Sequence, residues 1–287
     1  MAEGVVFDLG YRPHEGPRLG RSGARWALYR DGIRRVLGLR RRARRKVFPV
    51  VLMSIAVMPA LFFVAISVVA GEFDSELTFF GHAQYFELTG IMALVFIALA
   101  AGELLVPDRV HGTLAVYASR PLTTVDYLVG RALSLATVVV GFLWLPHLVL
   151  FLGRAWVSGF GSYVADNWPT LWKTLLASLV YFAAYAPLAL LIATTSKRAA
   201  LASVLFLGII LISGGATAAL VDSGFNALGL LALNQHPGYV KDWILGTHSH
   251  DWIPQQAGFE PLVSLVIILT LAAMFGLLLV IRQKKAT

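Results

Sequence analysis

The chain has 287 residues, 57% of them hydrophobic and 14% charged, with a net charge of +8. That balance, with a mean hydropathy of +0.72, excludes an ordinary soluble domain and leaves room for about six membrane spans at roughly 20 residues each. The absence of cysteine excludes disulfides, thiolate metal sites and a cysteine nucleophile. Most of the positive charge lies at one end of the chain, so a nucleic-acid partner is not expected.

Residues 1–22 are rich in Gly, Pro and Arg and read as an extended cytosolic lead-in. No apolar leader precedes Val47, so no cleavable signal peptide is expected. From Gly23 to about Leu39, Trp26, Tyr29, Ile33, Val36 and Leu37 fall on one helical stripe, while Arg25, Arg30, Asp31, Arg34 and Arg35 take the rest. A basic helix with such a stripe is expected to lie in the membrane interface. The basic run Arg40–Lys46 then sets topology and attracts anionic lipid. Residues 1–46 therefore form a lead-in with an amphipathic interfacial helix, and 47–287 form the membrane domain.

Six apolar runs follow, at about 47–70, 87–106, 127–152, 174–194, 199–221 and 262–281. With the N-terminus inside, the cytosolic segments hold Arg12 through Lys46, then Arg109, Arg120 and Arg131, then Lys197 and Arg198, then Arg282, Lys284 and Lys285. The other side holds only Arg154, Lys173 and Lys241, and its first loop carries Glu72, Asp74 and Glu76. The distribution predicts an all-α membrane protein of six transmembrane helices with both termini inside. Pro59, Pro146 and Pro187 fall within spans and predict kinks. Gly214 and Gly215 predict close packing of the fifth span on a neighbour. Between the fifth and sixth spans, Phe225–Leu233 is apolar but too short to cross, and Tyr239, Trp243 and Trp252 suit the headgroup region. Short external re-entrant or interfacial helices fit that stretch.

Enzyme chemistry is not expected. No Gly-x-x-x-x-Gly-Lys-Ser/Thr occurs, so the chain carries no P-loop, and no Ser/Lys dyad or His-Glu-x-x-His is present. His236, His248, His250 and Asp251 in the external loop invite a metal reading, but a site needs three or four converging ligands, which spacing does not supply. Glu87 and Glu103 lie near the two ends of the second span. Each is either solvated at the interface or a functional intramembrane acid.

The stretch Asp108-Arg109-Val110-His111-Gly112-Thr113-Leu114-Ala115-Val116-Tyr117-Ala118-Ser119-Arg120-Pro121-Leu122 separates the second and third spans. Val110, Leu114 and Tyr117 fall at helical spacing, Asp108 and Arg109 stand at the start, and Pro121 stops the pattern. This predicts a short amphipathic helix at the membrane surface. An acid, Gly112-Thr113-Leu114, Pro121-Leu122 and Gly130-Arg131 entering the next span together resemble the ABC-2 family of ATP-binding-cassette transporter permeases. The chain departs from that pattern at Thr124, since the basic residue usual after the proline appears before it as Arg120.

The resemblance implies that this segment is a cytosolic coupling helix, docking on a separate ATPase through Asp108, Arg109, His111, Gly112, Thr113, Leu114, Tyr117 and Arg120. It further implies that Glu103, Pro121 and Arg131 pass the motion on, and that the helix bearing Trp26, Tyr29, Ile33 and Leu37 is the family's N-terminal interfacial helix. ATP and Mg would then belong to the partner ATPase, with no cofactor in this chain. The other implied partners are membrane lipids and a second permease, either another copy or a paralogue. The expected role is a permease subunit in a plasma or bacterial inner membrane, exporting a hydrophobic, lipid-like or drug-like substrate. An ion-driven secondary transporter, or a membrane anchor or sensor recruiting a cytosolic partner, are the alternatives.

Overall fold

A computed structural model describes residues 20–39, 44–72, 81–113, 117 and 122–285. The described residues form α1 (Gly20–Val36), α2 (Arg44–Glu72), α3 (His82–Val110), α4 (Thr124–Ser158), α5 (Phe160–Ala193) and α6 (Ala199–Asp222). A 3-10 turn (Asn226–Leu231), α7 (His236–Leu245), α8 (Ile253–Gln256) and α9 (Pro261–Lys284) complete the chain, with no strand among the described residues. Six helices, α2 to α6 and α9, are long and apolar enough to cross a membrane. They coincide with the six apolar runs, so this is a multi-pass helical membrane protein.

The helices outrun the apolar runs in several places. The stretch 153–173, left between the third and fourth apolar runs, is almost wholly helical: α4 runs to Ser158 and α5 starts at Phe160. Gly159 joins them at φ 90, a conformation glycine adopts without a Cβ penalty. Likewise α3 does not stop before Asp108. It continues through Pro107 to Val110, and Asp108 and Arg109 occupy its last turn rather than the first turn of a new helix. The chain then turns at His111 and at Gly112, where φ is +67. Leu114, Arg120 and Pro121 lie outside the described residues.

Helix α3 is the centre of the bundle. In its apolar stretch 72% of the residues are buried, against 17% in the apolar stretches of α2 and α9. Small residues bring α6 against it: a Cβ on Gly102 would stand 2.9 Å from the carbonyl oxygen of Ala199. Ser203 Oγ donates to the Ala98 carbonyl at 2.8 Å across the same crossing. Such pairing of small residues with an interhelical hydrogen bond is how helices associate where no hydrophobic effect separates them from lipid. On α4, Phe142 stacks on Phe96 of α3 with centroids 4.9 Å apart. Outer faces stay apolar, with Ile212 on α6 and Leu277 on α9 more than half exposed.

Helix α1 packs across α4 and α3 through Leu28, Gly32 and Val36, which are buried. A Cβ on Gly32 would fall 2.2 Å from Ser134 Oγ, so glycine sets the closeness of approach. The expected stripe is shared differently. Trp26 is 58% exposed, Tyr29 is half-buried with its hydroxyl 2.9 Å from Thr137 Oγ1, and Ile33 and Leu37 pack at the edge of the core. Of the paired glycines of α6, Gly214 makes the close approach, but to Asn234 of the following segment rather than to a span; Gly215 faces open space.

The stretch between α6 and α9 folds as a cap over the far end of the bundle. Trp252 does not lie at a headgroup surface: it is buried, and its indole N–H donates to Asp242 Oδ2 at 2.6 Å. Lys241, fully buried, pairs with Asp242 Oδ1 at 2.8 Å and donates to the Ala83 carbonyl at 3.0 Å and Ser249 Oγ at 2.7 Å. His236 lies between Ser264 Oγ (2.9 Å) and the Leu230 carbonyl (3.0 Å). Burial alone raises the Asp242 carboxyl, but the Lys241, Trp252 and Ser249 donors outweigh it and hold its pKa below the usual range. Burial lowers His236, partly offset by the Leu230 carbonyl.

Both groups are depressed in the folded cap. Each therefore contributes stability above its unfolded pKa, of about 6.5 for histidine and about 3.9 for aspartate, lost as pH falls through the folded value. The protection factors of the α7 amides, which correct for the pH dependence of intrinsic amide exchange, should be high at pH 7.5, fall as pH drops below about 6.5, and fall again below about 3.9.

Candidate functional site

The residues singled out around 108–131 converge at the α1 end of the bundle, on one carboxylate. Asp108 is 1% exposed. Its Oδ1 accepts from Arg35 Nη1 at 2.5 Å and from Thr113 Oγ1 at 3.1 Å. Its Oδ2 accepts from Arg131 Nη2 at 2.7 Å and from Tyr127 Oη at 2.9 Å. Four donors therefore come from α1, the turn after α3, and two positions one turn apart on α4.

Arg131 is the counterpart. It is fully buried, and Nη1 reaches Asp31 Oδ2 at 2.9 Å while Nη2 serves Asp108 and the Tyr117 hydroxyl, the latter at 3.1 Å. Arg35 closes the circuit, with Nε on Asp31 at 2.8 Å and Nη2 on the Tyr117 hydroxyl at 3.4 Å. The rings of Tyr117 and Tyr127 lie 5.9 and 5.6 Å from the Arg131 guanidinium carbon. Two arginines and two aspartates make a neutral quartet, which is what allows charge to stay this deep.

A second clamp fixes the start of α4. Thr123 and Asp126 form a capping box, each side chain accepting from the other's backbone N–H at 3.1 and 2.9 Å. Asp126 also takes Arg21 Nε and Arg25 Nε at 2.8 Å each. The first turns of α1 and α4 are thereby tied by a carboxylate flanked by two half-exposed arginines.

The predicted residues divide into two groups. Asp108, Thr113, Tyr117 and Arg131 meet in the quartet, and the oxygens of Asp108 are saturated by donors of its own chain. Arg109, His111 and Gly112 face outward at the turn. Arg109 Nη2 donates to the Thr195 carbonyl at 3.4 Å, and His111 Nδ1 lies 2.9 Å from the Pro107 carbonyl. Glu103 is exposed on α3. The sequence reading missed Asp31, Arg35, Tyr127, Arg21, Arg25 and Asp126. The i,i+4 spacings of Asp31–Arg35 and Tyr127–Arg131 were the available signal, since each pair shares one helix face.

Among the described residues no three His, Asp or Glu side chains gather as a metal set. His248 Nε2 instead pairs with Asp251 Oδ1 at 3.0 Å on an exposed surface. At the far end of the spans, His82 and His147 approach with Nδ1 atoms 3.2 Å apart, while both Nε2 atoms are buried without a hydrogen-bond partner. In comparisons with known proteins, no family model matches this chain and no curated protein is significantly similar to it. The class that fold and site define is thus a multi-pass helical membrane protein with a buried ionic junction at one end.

Removing one partner of a buried ion pair strands the other charge, at a cost of about 3–5 kcal/mol. Asp108→Asn should lose about that much in unfolding by graded detergent mixtures. Asp126→Asn should lose less, because water competes for its half-exposed arginines.

Proposed function

We propose that the chain is the transmembrane permease subunit of an ABC-2-type ATP-binding-cassette transporter, with both termini cytosolic. It works as a dimer, with itself or with a paralogous permease, in a plasma or bacterial inner membrane. ATP and Mg are bound and hydrolysed by separate cytosolic ATPase subunits. The cargo is hydrophobic, lipid-like or drug-like, and is exported.

The observation that carries the reading is the attachment of Thr113 and Tyr117, the described residues just after the turn at Gly112. Thr113 and Tyr117 are bonded to Asp108, Arg131 and Arg35, so they are fastened at once to α1, α3 and α4. A push on these two residues is passed to three helices through hydroxyl hydrogen bonds of 3.1 to 3.4 Å to the charged groups of the junction. Closure of ATP-bound ATPases would then bias the bundle between its inward- and outward-facing arrangements by the differential free energy of nucleotide binding. In this scheme His111, Gly112, Leu114 and Arg120 grip the ATPase, whereas Asp108 and Arg131 hold the lever.

One observation favours a second reading, an ion-driven secondary transporter: the buried His82–His147 pair has room for a proton between its rings and unsatisfied nitrogens behind. Affinity purification from native membranes in mild detergent separates the two. The permease reading expects an ABC ATPase in equal amount, lost with Leu114→Asp while the variant remains inserted. No ATPase under any detergent, or undiminished ATPase with Leu114→Asp, contradicts it and leaves the ion-driven reading.

A further inference from the structure

Helices α1 and α4 enclose an open groove of about 770 Å³ at the end of the bundle that holds the ionic junction. One wall is the α4 stripe Val125, Val129 and Leu133, one residue per turn and all exposed. The other is the exposed ring of Trp26 on α1, stacked on Tyr29 with centroids 5.2 Å apart. The helices touch at Gly130, where a Cβ would stand 2.9 Å from Leu28 Cδ2. At the end of the groove farthest from the first turn of α4, the Tyr29 hydroxyl and Thr137 Oγ1 join them at 2.9 Å.

The mouth of the groove, at that first turn, is charged, and its charges are unequally placed. Asp126 takes both Arg21 and Arg25, but its side chain is 6% exposed whereas theirs are 50% and 53% exposed. One negative charge is covered and two positive charges reach the surface, so one is left in excess. The neighbouring quartet of Arg35, Arg131, Asp31 and Asp108 leaves none. Paired guanidinium groups with exposed N–H edges suit the oxygens of a phosphate. Helix α4 is long and apolar enough to cross a membrane, so apolar side chains exposed along it meet acyl chain rather than water. Its charged first turn then stands at headgroup level, where the Trp26 indole is also favoured. The groove thus offers a headgroup site and a chain site in the order in which a phospholipid presents them.

We propose that the α1–α4 groove holds one anionic phospholipid from the leaflet at that end of the bundle. Its phosphate accepts from Arg21 and Arg25, and one acyl chain lies along Val125, Val129 and Leu133 beside Trp26. A zwitterionic phospholipid brings its own cation and leaves the excess positive charge uncompensated. The site requires only that α4 span a bilayer, so it stands or fails separately from the permease reading.

The test is native mass spectrometry of the full chain, delipidated in detergent and titrated with palmitoyl-oleoyl phosphatidylglycerol or with the phosphatidylcholine of the same chains. One phosphatidylglycerol should load first, at a concentration at least about fivefold below that for phosphatidylcholine, as for one arginine's attraction to an anionic lipid. Arg21→Gln with Arg25→Gln should bring the two lipids level. Should that pair of changes prevent folding, Val129→Trp fills the chain site without touching the Asp126 clamp and should abolish the first phosphatidylglycerol adduct. Ile212→Trp, on the exposed face of α6, should leave that adduct as in the parent. The proposal is overturned if the two lipids load alike on the parent, or if the arginine or Val129 variants load phosphatidylglycerol as the parent does. It is equally overturned if Ile212→Trp removes the adduct as Val129→Trp does, since the lipid would then belong to the general apolar surface.

Discussion

A carboxylate held inside a membrane protein needs donors on every side, and Asp108 has four. Taking that charge from water costs several kcal/mol, repaid only when geometry and hydrogen bonding are both complete. The organisation of the α1 end follows from that demand. Arg131 must be buried to reach it, Arg35 must come from α1, and Asp31 must balance the second arginine. Tyr127 and Thr113 then take up the remaining lone pairs. Helix α1 is thus part of the ionic junction rather than a loosely floating surface helix, and the close Gly32–Ser134 approach lets it come near enough.

The opposite end solves the same problem differently. Lys241, fully buried, secures the cap to the first turn of α3 by bonding the Ala83 carbonyl, a group that can accept in addition to its helix bond. Asp242 compensates the lysine and gathers Trp252 and Ser249. The two polar ends leave a middle of aromatic and small residues along α3, where packing and Ser203-type bonds hold helices together. Charge is thereby confined to the ends and apolar packing to the centre, as a bundle in lipid requires.

The six long apolar helices were legible from hydropathy alone. The end of α3 was not. Asp108 after a proline resembles a helix start, because acids favour N-termini and proline often lies at a boundary. Instead the helix passes Pro107, and Asp108 owes its place to Arg35 and Arg131, 73 and 23 residues away. The helical stretch 153–173 was hidden because falling hydropathy marks the edge of lipid, not the end of a helix. Trp252 was misplaced for a related reason: an indole suits a headgroup surface, but a buried carboxylate offered its N–H a stronger partner. Arg131 and Tyr117 were singled out by resemblance, while their shared partner became visible only in three dimensions.

The central claim is that Asp108 and Arg131 act as one unit rather than as two independently stabilising residues. A double-mutant cycle of Asp108→Asn and Arg131→Met, read by unfolding in graded detergent mixtures, measures this directly. A coupled buried pair gives an interaction energy of about 1.5 kcal/mol or more, with the double variant more stable than the sum of the single losses allows. Losses that add to within about 0.5 kcal/mol would contradict the junction and, with it, the route from the 108–122 segment into the bundle.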